Sequence, residues 1–272
     1  DVPAKGQCFV NICYRCKQDS ALIKADHLLG FDEIPLQNSD PRNQDAVQLL
    51  GRPAGDGLIT IRETDRMLVL SCEQFTYVFN KLTGLFDKMT FANEPLLDQP
   101  MGFNVWRAPT DNDRKLKVDW YAAHYDHAAT NAYHTEYTVT ASGVTLHTHV
   151  GIAAICVQKF LDLDVTWTVA NNGSVDLALH AQRNTVFPEL PRFGLRLFLP
   201  QEMSQVNYYG MGPMECYRDK HHAASHSSYT ATVWQLHEDY IRPQENGSHF
   251  DCDYVMLAGD AVRLTAVGTQ PF

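Results

Sequence analysis

Alternation of apolar and polar residues with a period of two recurs through most of this chain and constrains its fold more than any other feature. In residues 161–170, for example, Val165, Trp167 and Val169 alternate with Thr166 and Thr168. Successive side chains of a β-strand point to opposite faces of its sheet, so this pattern predicts strands with one buried face. Strands are predicted at residues 7–16, 27–36, 58–63, 68–73, 75–80, 85–92, 133–140, 144–152, 156–170, 175–182, 195–199, 206–210, 248–258 and 261–267.

One segment departs from that alternation. Residues 115–127 carry a mixed apolar face at a spacing near 3.6, which predicts a helix. The residues of that face are Leu116, Val118, Trp120, Tyr121, Ala123 and His124. No repeat of 20 to 50 residues is evident, which disfavours propellers and solenoids. We therefore expect a mainly β protein whose long antiparallel strands form two packed sheets.

The distribution of polar residues predicts the domain boundaries. Residues 37–57 are rich in Pro, Gly, Asn and Asp, with one short apolar interruption, and we interpret them as a linker. The two or three strands within residues 1–36 cannot close a sandwich, so we interpret that segment as the tail of a domain whose beginning is missing. Residues 58–272 are then predicted to form the larger β domain. The opening at Asp1 carries no signal-peptide pattern, and we expect a piece of a longer protein.

Charge and cysteine content limit the classes of partner. The formal net charge is −10 and no basic stripe is present, which argues against nucleic acid and against an anionic membrane surface. No apolar run approaches the roughly 18 residues of a membrane span. The seven cysteines favour free thiols and weakly favour a cytoplasmic over a periplasmic location. Cys13 and Cys16 form a CxxC without a second pair, so we predict no metal site there.

The segment 101–114 (MGFNVWRAPTDNDR) concentrates the chemistry of a sugar site. Trp106 supplies an aromatic face, and Arg107 supplies a planar fork of five donors. Asp111, Asn112 and Asp113 place acceptors and donors at three consecutive positions. A pyranose offers an apolar face that stacks on aromatic rings and hydroxyls that bind such groups. The same residues also dominate ordinary turns, so a local turn is the alternative interpretation.

Four motifs together indicate a family. They lie at residues 106–113 (WRAPTDND), 190–194 (LPRFG), 210–219 (GMGPMECYRD) and 240–247 (YIRPQENG). In order and approximate spacing they resemble the carboxy-terminal, small-chain domain of bacterial β-galactosidases of glycoside hydrolase family two. The resemblance covers roughly residues 58–272. It implies a β-supersandwich similar to the galactose mutarotase-like fold, preceded by an immunoglobulin-like domain whose end would be the opening fragment.

The resemblance also implies what this chain lacks. Members of the family cleave with two glutamates of a (β/α)₈ barrel that lies upstream of anything matched here, and retaining enzymes of this kind hold the two carboxyl groups roughly 5 Å apart. We therefore expect no catalytic residue in this chain, and we expect the Mg²⁺ and Na⁺ sites only in the barrel. The expected partners are that barrel, as domain or subunit, a galactoside substrate and further copies of the intact enzyme. The family's domain continues past the position of Phe272, so a truncated carboxy terminus is expected.

Eight residues are the candidates for binding carbohydrate or framing the active site. In the family, the loop after the first motif approaches the mouth of the barrel. The alternative is an internally satisfied turn in which Arg107 pairs with Asp111 or Asp113. A bracing role is the alternative for the candidates of the later motifs, and Glu215, Tyr217 and Asp219 would share one face if extended. The candidates are Arg107, Asp111, Asn112, Asp113, Glu215, Tyr217, Gln244 and Glu245.

Two further functions compete with a non-catalytic segment of a β-galactosidase that hydrolyses terminal β-D-galactosides such as lactose. A free-standing aldose epimerase would need a positioned base and acid, for which His221, His222, His226 and the neighbours His237 and Glu238 are candidates. A solvated polar loop is the simpler interpretation of residues 221–228. The third possibility is a binding or assembly module. The family commonly places arginines after the turn at residue 247, where this chain has His249 and Asp253, which weakens an anion- or hydroxyl-binding role there.

Overall fold

The computed structural model describes residues 6–37, 55, 57–269 and 272, and within them the protein is mainly β. The strands are β1 (Cys8–Arg15), β2 (Leu28–Gln37), β3 (Thr60–Glu63), β4 (Met67–Ser71), β5 (Phe75–Asn80), β6 (Leu85–Phe91), β7 (Glu94–Pro95), β8 (Gln99–Asn104), β9 (Ala129–Thr140), β10 (Gly143–Ala153), β11 (Leu161–Ala170), β12 (Val175–Arg183), β13 (Gly194–Phe198), β14 (Gln205–Gly212), β15 (Ser225–Thr232), β16 (Tyr254–Ala258) and β17 (Arg263–Val267). One α-helix, α1 (Leu116–Ala122), and the 3₁₀ turns Asp111–Arg114, Tyr125–His127 and Val233–Leu236 complete the described secondary structure.

The strands form antiparallel sheets, and none of these sheets closes on itself. Two sheets hold most of the core, with strand orders β3-β4-β5-β6-β7 and β12-β11-β10-β9. A third has the order β15-β14-β16-β17, while β8 pairs with β13 and β1 pairs with β2. The predicted mainly β class is confirmed and is consistent with a β-sandwich. The supersandwich form of that sandwich stays a prediction.

The main core lies where the first two sheets face each other. Along β11, alternate residues such as Val165 and Trp167 are buried, as the period of two predicts. The Trp167 indole packs edge-on to Phe86, with ring centroids 5.2 Å apart, and its Nε1 donates to the Gly84 carbonyl oxygen at 3.0 Å. Gly84 adopts a φ of +73°, and a Cβ there would lie 2.8 Å from Val150. The β5–β6 turn is thereby fixed against the second sheet.

The helix is shorter than predicted, and its apolar face is largely exposed. α1 ends at Ala122, and His124 adopts a left-handed φ of 56° before a 3₁₀ turn takes over. Leu116, Val118 and Tyr121 are exposed, whereas Trp120 is buried. The prediction of one continuous helix over residues 115–127 was therefore wrong. In the described part of the chain no helix is both long and apolar enough to cross a membrane.

The hairpin β1–β2 is fastened to the third sheet by a histidine. His226 on β15 lies with Nδ1 2.6 Å from Glu33 Oε1 and with Nε2 2.7 Å from Asp251 Oδ2. Its backbone N–H donates to Glu33 Oε2 at 2.9 Å, and the Phe9 ring stacks on the imidazole with centroids 4.6 Å apart. The interpretation of residues 221–228 as a solvated loop was therefore wrong from Ser225 onward, because strand pairing and two carboxylates hold that segment.

The domain boundaries stay a prediction. Most of the expected linker, residues 38–54 and 56, lies outside the described residues. The hairpin β1–β2 forms a two-stranded sheet of its own, as a separate opening segment would. One face of it packs on the third sheet through Phe9 and Glu33.

Candidate functional site

Hydrogen bonds bring the four sequence motifs together. Arg107 Nε of the first motif donates to the Pro191 carbonyl oxygen of the second at 3.2 Å. The backbone N–H of Glu245, in the fourth motif, donates to the Ala108 carbonyl oxygen at 3.3 Å. Glu215 of the third motif accepts the Gly247 N–H at 3.0 Å. Segments that lie far apart in the sequence therefore form one continuous site.

The first motif is organised by a bidentate ion pair. Arg107 Nη1 and Nη2 donate to Asp113 Oδ2 and Oδ1 at 2.5 and 2.8 Å. The Thr110 N–H and hydroxyl also donate to Asp113 Oδ2, at 2.8 and 3.0 Å, and the bond from the N–H belongs to the capping box of the short 3₁₀ turn. Pro109, with its fixed φ, precedes that turn. The turn interpretation named two possible partners for Arg107, Asp111 and Asp113. In the structure the partner is Asp113.

Asp113 is ionised although it is buried. Only 5% of the residue is exposed. Burial opposes ionisation, but the hydrogen bonds from Arg107 and Thr110 outweigh it and hold the pKa of Asp113 below its usual range. Asp111 and Asn112 differ from it, since both are exposed and neither side chain has a hydrogen bond in the described part of the chain. Like Ala108 and Arg114, they face solvent.

Aromatic side chains pack against the loop that contains Arg107 and Asp113. The Arg107 guanidinium lies 5.1 Å from the centroid of the Trp120 ring. Trp120 Nε1 donates to the Glu189 carbonyl oxygen at 3.0 Å, which ties α1 to the residue before the second motif. The Trp106 ring lies edge-on to Trp120 and 5.2 Å from the ring of Tyr121. Trp106 is thus packed against neighbouring rings in this structure.

Glu245 links the second and fourth motifs. Its carboxylate forms an ion pair with Arg192, and its backbone N–H holds the first motif at Ala108. The sequence had singled out Glu245 but not Arg192, although Arg192 stands inside the LPRFG motif. Gln244 is half-buried, and its carbonyl oxygen accepts from the Asn246 side chain at 3.3 Å. These contacts are all within the protein.

Glu215 is the centre of a second network. Its Oε1 accepts from Lys220 Nζ at 2.8 Å and from the Tyr240 hydroxyl, and its Oε2 accepts from Gly247 N–H. The residue is 9% exposed. Burial opposes its ionisation, but the hydrogen bonds from Lys220, Tyr240 and Gly247 prevail and lower the pKa of Glu215. Lys220 and Tyr240 were not among the predicted site residues, and only the membership of Tyr240 in the fourth motif could have indicated its role.

The expected alternation of Glu215, Tyr217 and Asp219 along one face does not occur. The segment is not extended, because Tyr217 and Lys220 form a β-bridge across a turn. Asp219 is exposed, whereas the Tyr217 hydroxyl is buried without a hydrogen-bond partner among the described residues. Burial, together with the nearby charges of Glu215 and Glu245, raises the pKa of Tyr217 to about 12.

His249 packs against an aromatic ring. Its imidazole lies 4.4 Å from the ring centroid of Tyr208, and burial lowers the pKa of His249. Of the histidines considered for an epimerase, His226 is engaged by Glu33 and Asp251, and His221 stacks on His222 at 4.8 Å. Across the described part of the chain, no three His, Cys, Asp or Glu side chains are grouped so that they could hold a metal ion.

The comparisons with known proteins agree on one family. The family model described as "Beta galactosidase small chain" matches residues 71–270, which include all four motifs. A protein named beta-galactosidase from Actinobacillus pleuropneumoniae is 34% identical over 263 residues, covering 97% of this chain and 25% of the relative. One from Staphylococcus xylosus is 31% identical over 260 residues, covering 95% of this chain and 26% of the relative. The chain thus spans about a quarter of the length of the curated relatives it matches.

Proposed function

Because the chain belongs to the β-galactosidase small-chain family, we propose that it is a non-catalytic, carboxy-terminal segment of a β-galactosidase. In the intact enzyme it would frame the site at which terminal β-D-galactosides such as lactose are hydrolysed. The observation that carries this proposal is the convergence of the four motifs into one hydrogen-bonded surface. Such a surface holds loop residues in fixed positions, as a wall of a binding site requires.

The glutamates of this surface support a framing role. Glu215 and Glu245 each hold an ion pair, with Lys220 and Arg192 respectively. A carboxylate held in an ion pair is a poorer general acid than a free one, because the cation stabilises the ionised form. The catalytic glutamate pair, and the Mg²⁺ and Na⁺ ions of the family, would belong to a barrel domain or subunit. Asp111 and Asn112, exposed on the locked loop, are the residues we expect to reach towards that barrel or its sugar.

The hairpin β1–β2 fits the proposed domain order. We interpret it as the end of an immunoglobulin-like domain, with residues 37–57 as linker and residues 58–272 as the supersandwich. Val10, Ile12, Tyr14 and Ile34 on the hairpin are exposed. Three of them, Val10, Ile12 and Tyr14, recur at every second position of β1 and therefore share one face. An apolar sheet face of this kind is expected to pack on further strands of the same domain.

Complementation tests the proposal. The chain would be assayed with o-nitrophenyl β-D-galactoside alone, and again after mixing with a polypeptide that carries the barrel of a family relative. We expect no turnover alone and hydrolysis after mixing. Turnover by the chain alone would overturn the non-catalytic assignment. Acceleration of galactose mutarotation by the chain, followed by polarimetry, would instead identify an epimerase. Absence of hydrolysis after stable association would contradict the framing role.

A further inference from the structure

One imidazole bridges the hairpin β1–β2 to the third sheet. His226 Nδ1 lies 2.6 Å from Glu33 Oε1 on β2, and its Nε2 lies 2.7 Å from Asp251 Oδ2, in the segment between β15 and β16. All three side chains are largely shielded from solvent, with exposed fractions of 12% for His226, 11% for Glu33 and 27% for Asp251. The protons on this bridge therefore decide whether it can hold the two elements together.

The geometry of the bridge identifies the charged form of the ring. A neutral imidazole has one N–H and one bare nitrogen, so it can donate to only one carboxylate, whereas an imidazolium donates from both nitrogens. Both ring nitrogens of His226 contact carboxylate oxygens, which accept only when they are ionised. The two distances are as short as those of charge-assisted hydrogen bonds. Because an imidazole is a stronger base than a carboxylate, the additional proton belongs on the ring.

The elements around His226 place carboxylates and uncharged groups on it. The residues in contact with it or paired with it are Glu33 of β2, Asp251, Phe9 of β1 and Met211 of β14. Two further titratable groups lie at the same joint and contact Gln7, namely the Asp253 carboxylate at 3.5 Å and the Tyr209 hydroxyl at 3.4 Å. Within the described part of the chain, the imidazolium is therefore the cation that lies between Glu33 and Asp251.

We propose that the joint between the hairpin β1–β2 and the third sheet is a pH-sensitive switch, in which the hairpin is held while His226 carries two ring protons and is released when one is lost. Loss of that proton removes a donor and leaves a nitrogen lone pair facing a carboxylate oxygen. The neutral ring can keep Glu33 or Asp251, but it cannot bridge them. Stability that rests on a bound proton is full at low pH and is lost as the pH rises, here over about pH 5 to 8, where imidazoles titrate.

This proposal goes beyond the framing role and does not depend on it, because it concerns a joint within this chain and is measured without a barrel. Among the described strands, β1 and β2 pair only with each other. A two-stranded hairpin without further support is marginally stable in water. Release from the third sheet is therefore expected to open the hairpin itself, and that opening is the quantity to measure.

Hydrogen exchange of the whole chain, followed by mass spectrometry of peptides from residues 8–15 and 28–37, measures this opening. We expect the opening constant, corrected for the chemical exchange rate, to be at least about fivefold larger at pH 8.5 than at pH 5.5. An opening constant that stays the same or falls over this range would overturn the proposal.

The Glu33→Gln variant distinguishes a switch from a contact that is only structural. The new amide oxygen can accept the His226 backbone N–H, which donates to Glu33 Oε2 at 2.9 Å in the wild type, while the new NH₂ group can donate to the bare Nδ1 of a neutral ring. His226 Nε2–H still reaches Asp251, so the neutral ring now bridges both sides. We expect the hairpin to stay docked at pH 8.5 and its opening constant to change less than about twofold with pH.

Asp32→Asn is the matched control. It removes the same charge from the neighbouring residue, which is exposed on the other face of β2 and accepts from the Tyr14 hydroxyl at 2.7 Å. We expect this variant to keep the pH dependence of the wild type. An unchanged dependence in Glu33→Gln, or its loss in Asp32→Asn, would refute the assignment to the bridge.

The ring proton is observed directly in the wild type, so the test does not rest on variants alone. Long-range ¹H–¹⁵N correlation spectra of the histidine-labelled chain distinguish an imidazolium from either neutral tautomer. The His226 signals are assigned through the stacked Phe9 ring, whose centroid lies 4.6 Å from that of the imidazole. We expect two ring protons at pH 5.5 and one at pH 8.5. A ring that is neutral at pH 5.5, or still charged at pH 8.5, would overturn the proposal.

Discussion

Replacing Asp113 with Asn should destabilise the protein far more than the same change two residues earlier. Asp113 accepts two hydrogen bonds from Arg107 and two from Thr110. In the Asp113→Asn variant one oxygen is replaced by an amide donor that faces the guanidinium donors, so the bidentate pair is lost. Removing one partner of a buried ion pair costs about 3–5 kcal/mol of folding free energy. The Arg107 side chain is 21% exposed and keeps its contacts with Pro191 and Trp120, so we expect a loss of about 2–3 kcal/mol.

Asp111→Asn is the matched control. Asp111 is exposed and its side chain has no hydrogen bond in the described residues, so its change is expected to stay within about 0.5 kcal/mol. Urea unfolding followed by tryptophan fluorescence measures both, since Trp106 and Trp120 lie beside the pair. A double-mutant cycle with Arg107→Met would give a coupling energy of at least about 1 kcal/mol. A loss below about 0.5 kcal/mol for Asp113→Asn, or equal losses at both aspartates, would refute the assignment of the pair as the organiser of the loop.

Three further predictions concern the hairpin joint, the Glu215 network and the thiols. His226→Asn removes two hydrogen bonds to carboxylates and should lower the free energy of unfolding in urea by about 2–4 kcal/mol. The control His180→Asn changes an exposed residue and should lower it by less than about 0.5 kcal/mol. Equal losses would contradict the role of His226 in holding the hairpin. The pKa of Glu215 is lowered in the folded state, so the wild type should be more stable than Glu215→Gln at pH 7. This difference in stability should disappear as the pH falls below about 4.3, the usual pKa of a glutamate. A difference that is independent of pH would contradict the network. Exposed Cys156 should react with iodoacetamide in the native state, whereas Cys252, whose pKa burial raises to about 12, should react only on unfolding, as peptide mass mapping would show.

The fold was predictable where local pattern and tertiary packing agree. The bounds of β5 matched the prediction, because its alternation coincides with a buried and a half-exposed face. β8 and β15 were missed, since QPMGFN contains Pro and Gly and SHSSYTAT is almost entirely polar. Their strand conformation comes from pairing with β13 and β14, which no local pattern contains. The local pattern was also misleading at Leu116 and Val118. Their helical spacing predicts burial, but both side chains are exposed.

The site was predictable only in part, and sequence distance explains the division. The Arg107–Asp113 pair spans six residues, so it could be weighed from the sequence as one of two pairings. The contacts between motifs could not be predicted in this way, because the sequence of a motif does not specify which distant segment will lie beside it. The joint between Glu33 and His226 spans 193 residues, and a polar run around a histidine resembles a solvated loop until a distant carboxylate is placed beside it. The role of Arg192 was missed for the same reason, since its partner Glu245 lies 53 residues away. Lys220 lies only five residues from Glu215, and its role was missed because the β-bridge that turns this segment back on itself was not predicted.

The contacts between the first motif and its neighbours end on peptide groups, namely the carbonyl oxygens of Ala108 and Pro191. A carbonyl oxygen is present whatever side chain a residue carries. Substitution at these two positions can therefore leave both hydrogen bonds intact. Substitution of Arg107 cannot, because its side chain supplies the guanidinium donor. Divergence among relatives is thus expected to accumulate at acceptor positions and to spare the donating arginine, so that the shape of this surface outlasts much of its sequence.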